Sequence, residues 1–127
     1  MAKRQVVEFP GMYRHSNPAP GCIKIGNMVF SGAISGFDIE TQSDPDGLDE
    51  QITNAFDNMR RTIEAAGGTT DNIARVMIYL HDMEHRDLVN REWVKMFPDE
   101  ANRPVRKVLT ADIPKRLHIQ LEMTAVL

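Results

Sequence analysis

The stretch RPVRKVLTADIPKRLHIQLEM, residues 103–123, carries Arg106, Gln120 and Glu122 on what reads as two short strands joined by a turn at Ile113-Pro114-Lys115. A guanidinium can grip a carboxylate through two parallel hydrogen bonds. A glutamine amide cannot act as a base near neutral pH, but it can orient a water molecule. A carboxylate can take a proton from water as that water attacks an electrophile. Of the three, the arginine is a ready partner for a carboxylate. The plainer alternative is a salt bridge from Arg106, to Glu122 for instance, with a purely structural role. Residue spacing leaves both readings open.

Other chemistries find less support. The four histidines make no convincing metal set: His81 and His85 are four apart but straddle a predicted strand end and helix start. There is no HExxH motif, and Cys22, the single cysteine, has no thiol partner. Cys22 is expected to be a small buried residue rather than a nucleophile. No Gly-x-Ser-x-Gly elbow is present, and the Gly32-x-x-x-Gly36 spacing lacks the lysine of a phosphate loop. Arg14 and His15 sit in the Pro-rich loop PGMYRHSNPAPG (10–21), where the plain reading is that both are solvated.

The elements that must position these residues follow from periodicity. CIKIGNMVFSGAIS (22–35) reads as a hairpin turning at Gly26-Asn27. Residues 36–48 are turn-rich, with Asp44-Pro45-Asp46-Gly47 near the end. Ile52, Phe56, Met59 and Ile63 form one apolar stripe of a helix that Asp49 and Glu50 open and Gly67-Gly68 close. ARVMIYL (74–80) reads as a strand. A second helix over 85–97 turns Val89, Trp93 and Met96 or Phe97 inward and stops at Pro98. The predicted order is β-β-α-β-α-β-β, with an extra N-terminal strand at QVVEF. Two helices on one face of a mixed sheet make a two-layer α+β domain covering residues 1–127. In the last strand Leu117, Ile119, Leu121, Met123 and Ala125 should meet the helices, and His118, Gln120, Glu122, Thr124 and Val126 should face away. Arg106 is expected to share a sheet face with Gln120. Val76, Ile78, Leu80 and Val108 are assigned to the sheet face that the helices leave bare. Packing such faces together in a homo-oligomer would keep them dry.

Composition narrows the setting. At 127 residues, 42% apolar and 26% charged, the chain has the make-up of a soluble globular protein. A net charge of −3 argues against nucleic acid as a partner. No apolar run is long enough for a membrane span, and MAKRQVVEF lacks the apolar segment of a secretory leader. One unpaired cysteine fits a reducing, cytoplasmic setting.

Several motifs in order resemble the YjgF/RidA family of reactive-intermediate (enamine/imine) deaminases. They are IGNMVFSGAIS (25–35), IEAAGG (63–68), ARVMIYLHDM (74–83), VNREW (89–93), RPVR (103–106) and IPKRLHIQLEMTAV (113–126). The resemblance implies a chorismate-mutase-like homotrimer whose three sheets form an inner barrel, with sites in the clefts between subunits. It implies hydrolysis of a small 2-imino or enamino acid to a keto acid and ammonia, with no cofactor. The family's carboxylate-binding arginine corresponds to Arg106 in Pro104-Val105-Arg106. Its pocket serine and glycine correspond to Ser31 and Gly32, its asparagine to Asn90, and an aromatic position to Trp93. The resemblance also implies that the loop of residues 10–21 lies near the mouths of the clefts, where Arg14 and His15 would touch a second carboxylate of the substrate; solvation stays the alternative. Three positions depart from the pattern. The water-activating glutamate of the last strand is Gln120, a pocket cysteine is Val108, and a tyrosine falls near Ala19. The arginine-to-proline segment is also one residue shorter, which opens the strand register near the site to change. Glu122 then becomes a candidate substitute for the missing glutamate. The rival implication is a non-catalytic trimer that binds a small carboxylate as a sensor or regulator, because Gln120 is no base. RNA cleavage, attributed to some relatives, is disfavoured by the acidic balance.

Overall fold

A computed structural model describes residues 3–127; Met1 and Ala2, the first residues of the stretch read against a leader, lie outside it. The elements run β1 (Gln5–Val6), β2 (Cys22–Ile25), β3 (Met28–Ser31), β4 (Ile34–Ser35), α1 (Leu48–Ala65), β5 (Ile73–Leu80), α2 (Arg86–Met96), β6 (Val105–Thr110) and β7 (Ile119–Val126). This is the expected order, with the N-terminal strand present and β4 added. Gly26, at φ +56°, makes the hairpin turn between β2 and β3. Helix α1 ends as its sequence predicts. Gly67 adopts φ +95°, Gly68 N–H donates to Ile63 O at 3.0 Å, and Gly67 N–H donates to Glu64 O at 3.0 Å.

One sheet holds all seven strands, in the order β1-β2-β3-β7-β5-β6, with β4 beside β7. Only β5 and β6 are parallel, because α2 crosses over between them. Both helices lie on the same side of this sheet. Ile52, Phe56, Met59 and Ile63 of α1 are buried against it, as are Val89 and Trp93 of α2.

Two expectations about faces are corrected here. The strands of residues 103–123 are not neighbours: β5 lies between β6 and β7. Arg106 is level with Val76, and Val76 with Met123, whereas Gln120 is level with Tyr79. Residues in register share a face, and Gln120 and Met123 differ by an odd step. Arg106 therefore points to the helix side and Gln120 to the other. By the same parity Val76, Ile78 and Leu80 lie under the helices with no exposed surface, and Val108 packs partly buried against that core. The bare face instead carries Met77 and Tyr79, with Phe30 and Val126 each 41% exposed and Val105 61% exposed. It remains apolar enough to argue for a partner surface.

Candidate functional site

Arg106 reaches from β6 toward α2. Its Nη2 donates to Asn90 Oδ1 at 2.5 Å, and its guanidinium lies 4.9 Å from the centroid of the Trp93 ring. Asn90 and Trp93 are three apart on α2 and so share a helix face. Trp93 is itself buried and packs 4.7 Å from Phe97, which fixes the platform on which the arginine stacks. Arg106 Nη1 is buried without a hydrogen-bond partner. Burial, and secondarily the positive charge of Arg86, push the guanidinium's pKa below its ordinary value. Among the described residues no carboxylate pairs with it. The salt bridge to Glu122 considered from sequence is not formed, because Glu122 lies on the opposite face and accepts from the Tyr79 hydroxyl at 3.2 Å. That carboxylate and burial raise the Tyr79 pKa, burial being the larger cause.

Gln120 opens onto a different feature. At the Ser35 end of β7 it lines a recess of about 340 Å³ together with Tyr13, His15, Asn17, Ser35, Asp44 and Arg116. Three sets of contacts build the walls. The loop of residues 10–21 is held by the Tyr13 ring, edge-on to Phe37 at 5.1 Å, and by Gln42 Nε2 donating to Gly11 O at 3.0 Å. The Asp44 loop is joined to the Arg116–His118 segment through Gln51 of α1. The fully buried Gln51 amide donates to Pro45 O at 2.6 Å and to Arg116 O at 2.8 Å, and it accepts from His118 N–H at 2.7 Å. β4 is pinned to the helix by Asn58 Nδ2, which donates to Ser35 O and Phe37 O, both at 2.9 Å. Gly36 allows this approach: a Cβ there would sit 2.2 Å from Gln51 O.

Across the recess, Arg116 Nε donates to Asp44 Oδ2 at 3.0 Å. Asp44 is mostly buried and its Oδ1 has no partner. Arg14, beside His15 in sequence, pairs with Glu8 at 2.6 Å instead of lining this recess.

The structure thus brings Arg106, Asn90 and Trp93 together and sets Gln120 apart from them. Ser31 Oγ is occupied within the sheet, accepting from Met123 N–H and donating to Gly32 O, each at 2.8 Å. Gly32 N–H donates to Gly21 O at 2.8 Å. Val108 borders the core, and Glu122 does not line the recess. Cys22 is buried, which pushes its thiol up to about 11 and keeps it protonated at neutral pH. Sequence reasoning missed Ser35, Asp44, Arg116 and the Gln51 clamp. Asp44 was legible only as part of a turn, and Arg116 only as a loop charge. Gln51, one position before the stripe residue Ile52, carried no sequence signal of its burial.

A family model described as Endoribonuclease L-PSP matches residues 17–127. The chain is 26% identical over 110 residues to a RutC family protein of Aquifex aeolicus, covering 86% of this chain and 88% of that protein. It is 21% identical over 129 residues to a 2-iminobutanoate/2-iminopropanoate deaminase of Dermatophagoides farinae, covering 100% of this chain and 99% of that one. An Escherichia coli protein of the same description is 26% identical over 106 residues, with 82% and 83% covered. Among solved structures, RidA from an Antarctic Psychrobacter superposes with a TM-score of 0.89 at 23% identity, over 98% of this chain and 100% of that one. An Entamoeba histolytica protein described as a putative endoribonuclease L-PSP gives the same TM-score, identity and coverage.

Proposed function

The chain belongs to the Endoribonuclease L-PSP family, the YjgF/RidA family its motifs resemble, and on that premise we propose that it hydrolyses a small 2-imino or enamino carboxylic acid to a keto acid and ammonia. In this reading residues 1–127 form one domain of a cytoplasmic homotrimer, and no cofactor takes part. The observation that carries the reading is the state of Arg106: a half-buried guanidinium, stacked on Trp93, held by Asn90, with no acid partner and one nitrogen unsatisfied. An orphaned buried donor costs about 1–3 kcal/mol, and a bound carboxylate offsets that cost.

The sheet geometry supports a cleft between subunits. Within one chain Arg106 and Gln120 are two strands and three residues apart, roughly 14 Å by strand spacing and rise, on opposite faces. A small acid cannot touch both in one subunit. Arg106 of one subunit and the Gln120 recess of another can meet it together, and the apolar bare face of the sheet supplies a surface for that assembly. Ser31 and Gly32 shape the neighbouring backbone, and Val108 fills the space beneath β6.

A second reading is favoured by Gln120: the same trimer would bind a small carboxylate without turning it over, because the amide accepts no proton near neutral pH. The RNA cleavage named in the family's description is not favoured by a net charge of −3. The test generates imino acids in place with an amino-acid oxidase while semicarbazide competes for them. Faster keto-acid and ammonia release with the wild-type protein, lost in Arg106→Ala, is the expected result. No acceleration by wild type, with keto-acid binding that depends on Arg106, would replace the deaminase with the binding protein.

A further inference from the structure

Hydrolysis of an imine needs a group that takes a proton from the attacking water, and Gln120 is not that group. The recess that Gln120 faces holds four titratable side chains: Tyr13, His15, Asp44 and Arg116. A phenol and a guanidinium are protonated near neutral pH and cannot serve. Asp44 is a carboxylate, but Arg116 Nε occupies its Oδ2, and its Oδ1 is buried out of reach of water. Glu122 does not line the recess and is engaged by Tyr79. His15 alone combines exposure, a place on the recess wall, and ring nitrogens with no hydrogen-bond partner among the described residues. Its loop is anchored on both sides of it, by the Tyr13 ring against Phe37 and by Gly32 N–H on Gly21 O.

We propose that His15 is a catalytic residue of this protein, the general base that activates water positioned by Gln120. This rests on the imine-hydrolysis reading above. In the step assigned to it, the water oxygen bonds to the iminium carbon, the C=N π pair moves to nitrogen, and a water proton passes to the neutral imidazole. The imidazolium then returns that proton to the amine nitrogen. The C–N bond breaks as the hydroxyl of the intermediate becomes the keto carbonyl, its proton passing to the neutral imidazole and from there to the departing ammonia, which leaves as ammonium and restores the base. Water is consumed and no oxidant or reductant is needed. The charges facing His15 are the Arg14–Glu8 pair on its own side and the Arg116–Asp44 pair across the recess, each closed on itself, with the Tyr13 phenol beside it.

The experiment measures kcat and KM of the oxidase-coupled reaction from pH 5.5 to 8.5 for wild type, His15→Gln and His15→Ala. The wild-type kcat should rise with pH through the histidine range with unit slope. Both variants should lose roughly 100-fold in kcat, the low end expected of a general base. Their KM should stay within about threefold, and the histidine limb should vanish from their profiles, any limb left belonging to the imine itself. Retained kcat in His15→Gln, or a wild-type profile flat through the histidine range, would overturn the assignment while leaving the deaminase reading intact. A flat wild-type profile overturns the assignment without any variant. Absence of wild-type turnover on every imino acid would instead overturn the deaminase reading, and the assignment with it.

Discussion

Replacing Gln51 with leucine tests the idea that one buried amide assembles the recess. The substitution nearly conserves volume and keeps the helix, so its cost is concentrated in three hydrogen bonds. Gln51 Nε2 serves Pro45 O at 2.6 Å and Arg116 O at 2.8 Å, and Oε1 receives His118 N–H at 2.7 Å, all with the side chain fully buried. Leucine removes the side-chain partner of all three backbone groups, which lie in part-buried positions. At about 1–2 kcal/mol for each orphaned group the loss is roughly 3–6 kcal/mol, and the better burial of an apolar side chain returns about 1–2 of it. The expected net loss is about 3 kcal/mol, measured by urea denaturation at a fixed subunit concentration because any assembly makes stability concentration-dependent. For a chain of this size that loss corresponds to a fall in melting temperature of roughly 10 °C. A loss below about 1 kcal/mol would refute the reasoning. It would mean that the Arg116–Asp44 pair and the bond between His118 Nε2 and Asp46 O already hold the two segments together.

Three other outcomes are expected. Gly36→Ala puts a Cβ 2.2 Å from Gln51 O, against backbone that cannot swing aside, so thermal denaturation should show a loss of at least about 2 kcal/mol. Cys22 has its folded pKa raised from 9.0 to about 11 by burial, so the folded state holds the thiol proton more tightly than the unfolded chain. Its contribution is complete below pH 9 and declines between pH 9 and about 11; the stability of wild type relative to Cys22→Ala should fall across that window in denaturant titrations. Phe30→Asp places a charge on the bare sheet face, where Phe30 is 41% exposed, and light scattering should show the proposed trimer reduced to smaller species while circular dichroism stays unchanged. An intact trimer would move the assembly surface elsewhere.

The sequence by itself determined the elements and the inner sides of α1, α2 and β7, but not those of β5 and β6. The stripe of Ile52, Phe56, Met59 and Ile63 is buried as its period of 3.6 requires, and alternate residues from Leu117 to Ala125 lie under the helices as a period of two requires. Local chemistry was enough for the turn at Gly26-Asn27 and for the glycine stop at Gly67. Family motifs also singled out Arg106, Asn90 and Trp93, which the structure gathers in one place. What the sequence could not decide was pairing. Periodicity says which residues alternate along a strand, but not which strand lies beside it, and an odd offset between neighbours reverses every side chain. The parallel crossover through α2 puts β5 between β6 and β7, which turns Arg106 toward the helices and leaves Gln120 on the far side. The recess was equally out of reach. Tyr13, His15, Ser35, Asp44, Arg116 and Gln120 come from five separate stretches of chain, and tertiary contacts, among them those made by Gln42, Gln51 and Asn58, bring those stretches to one wall.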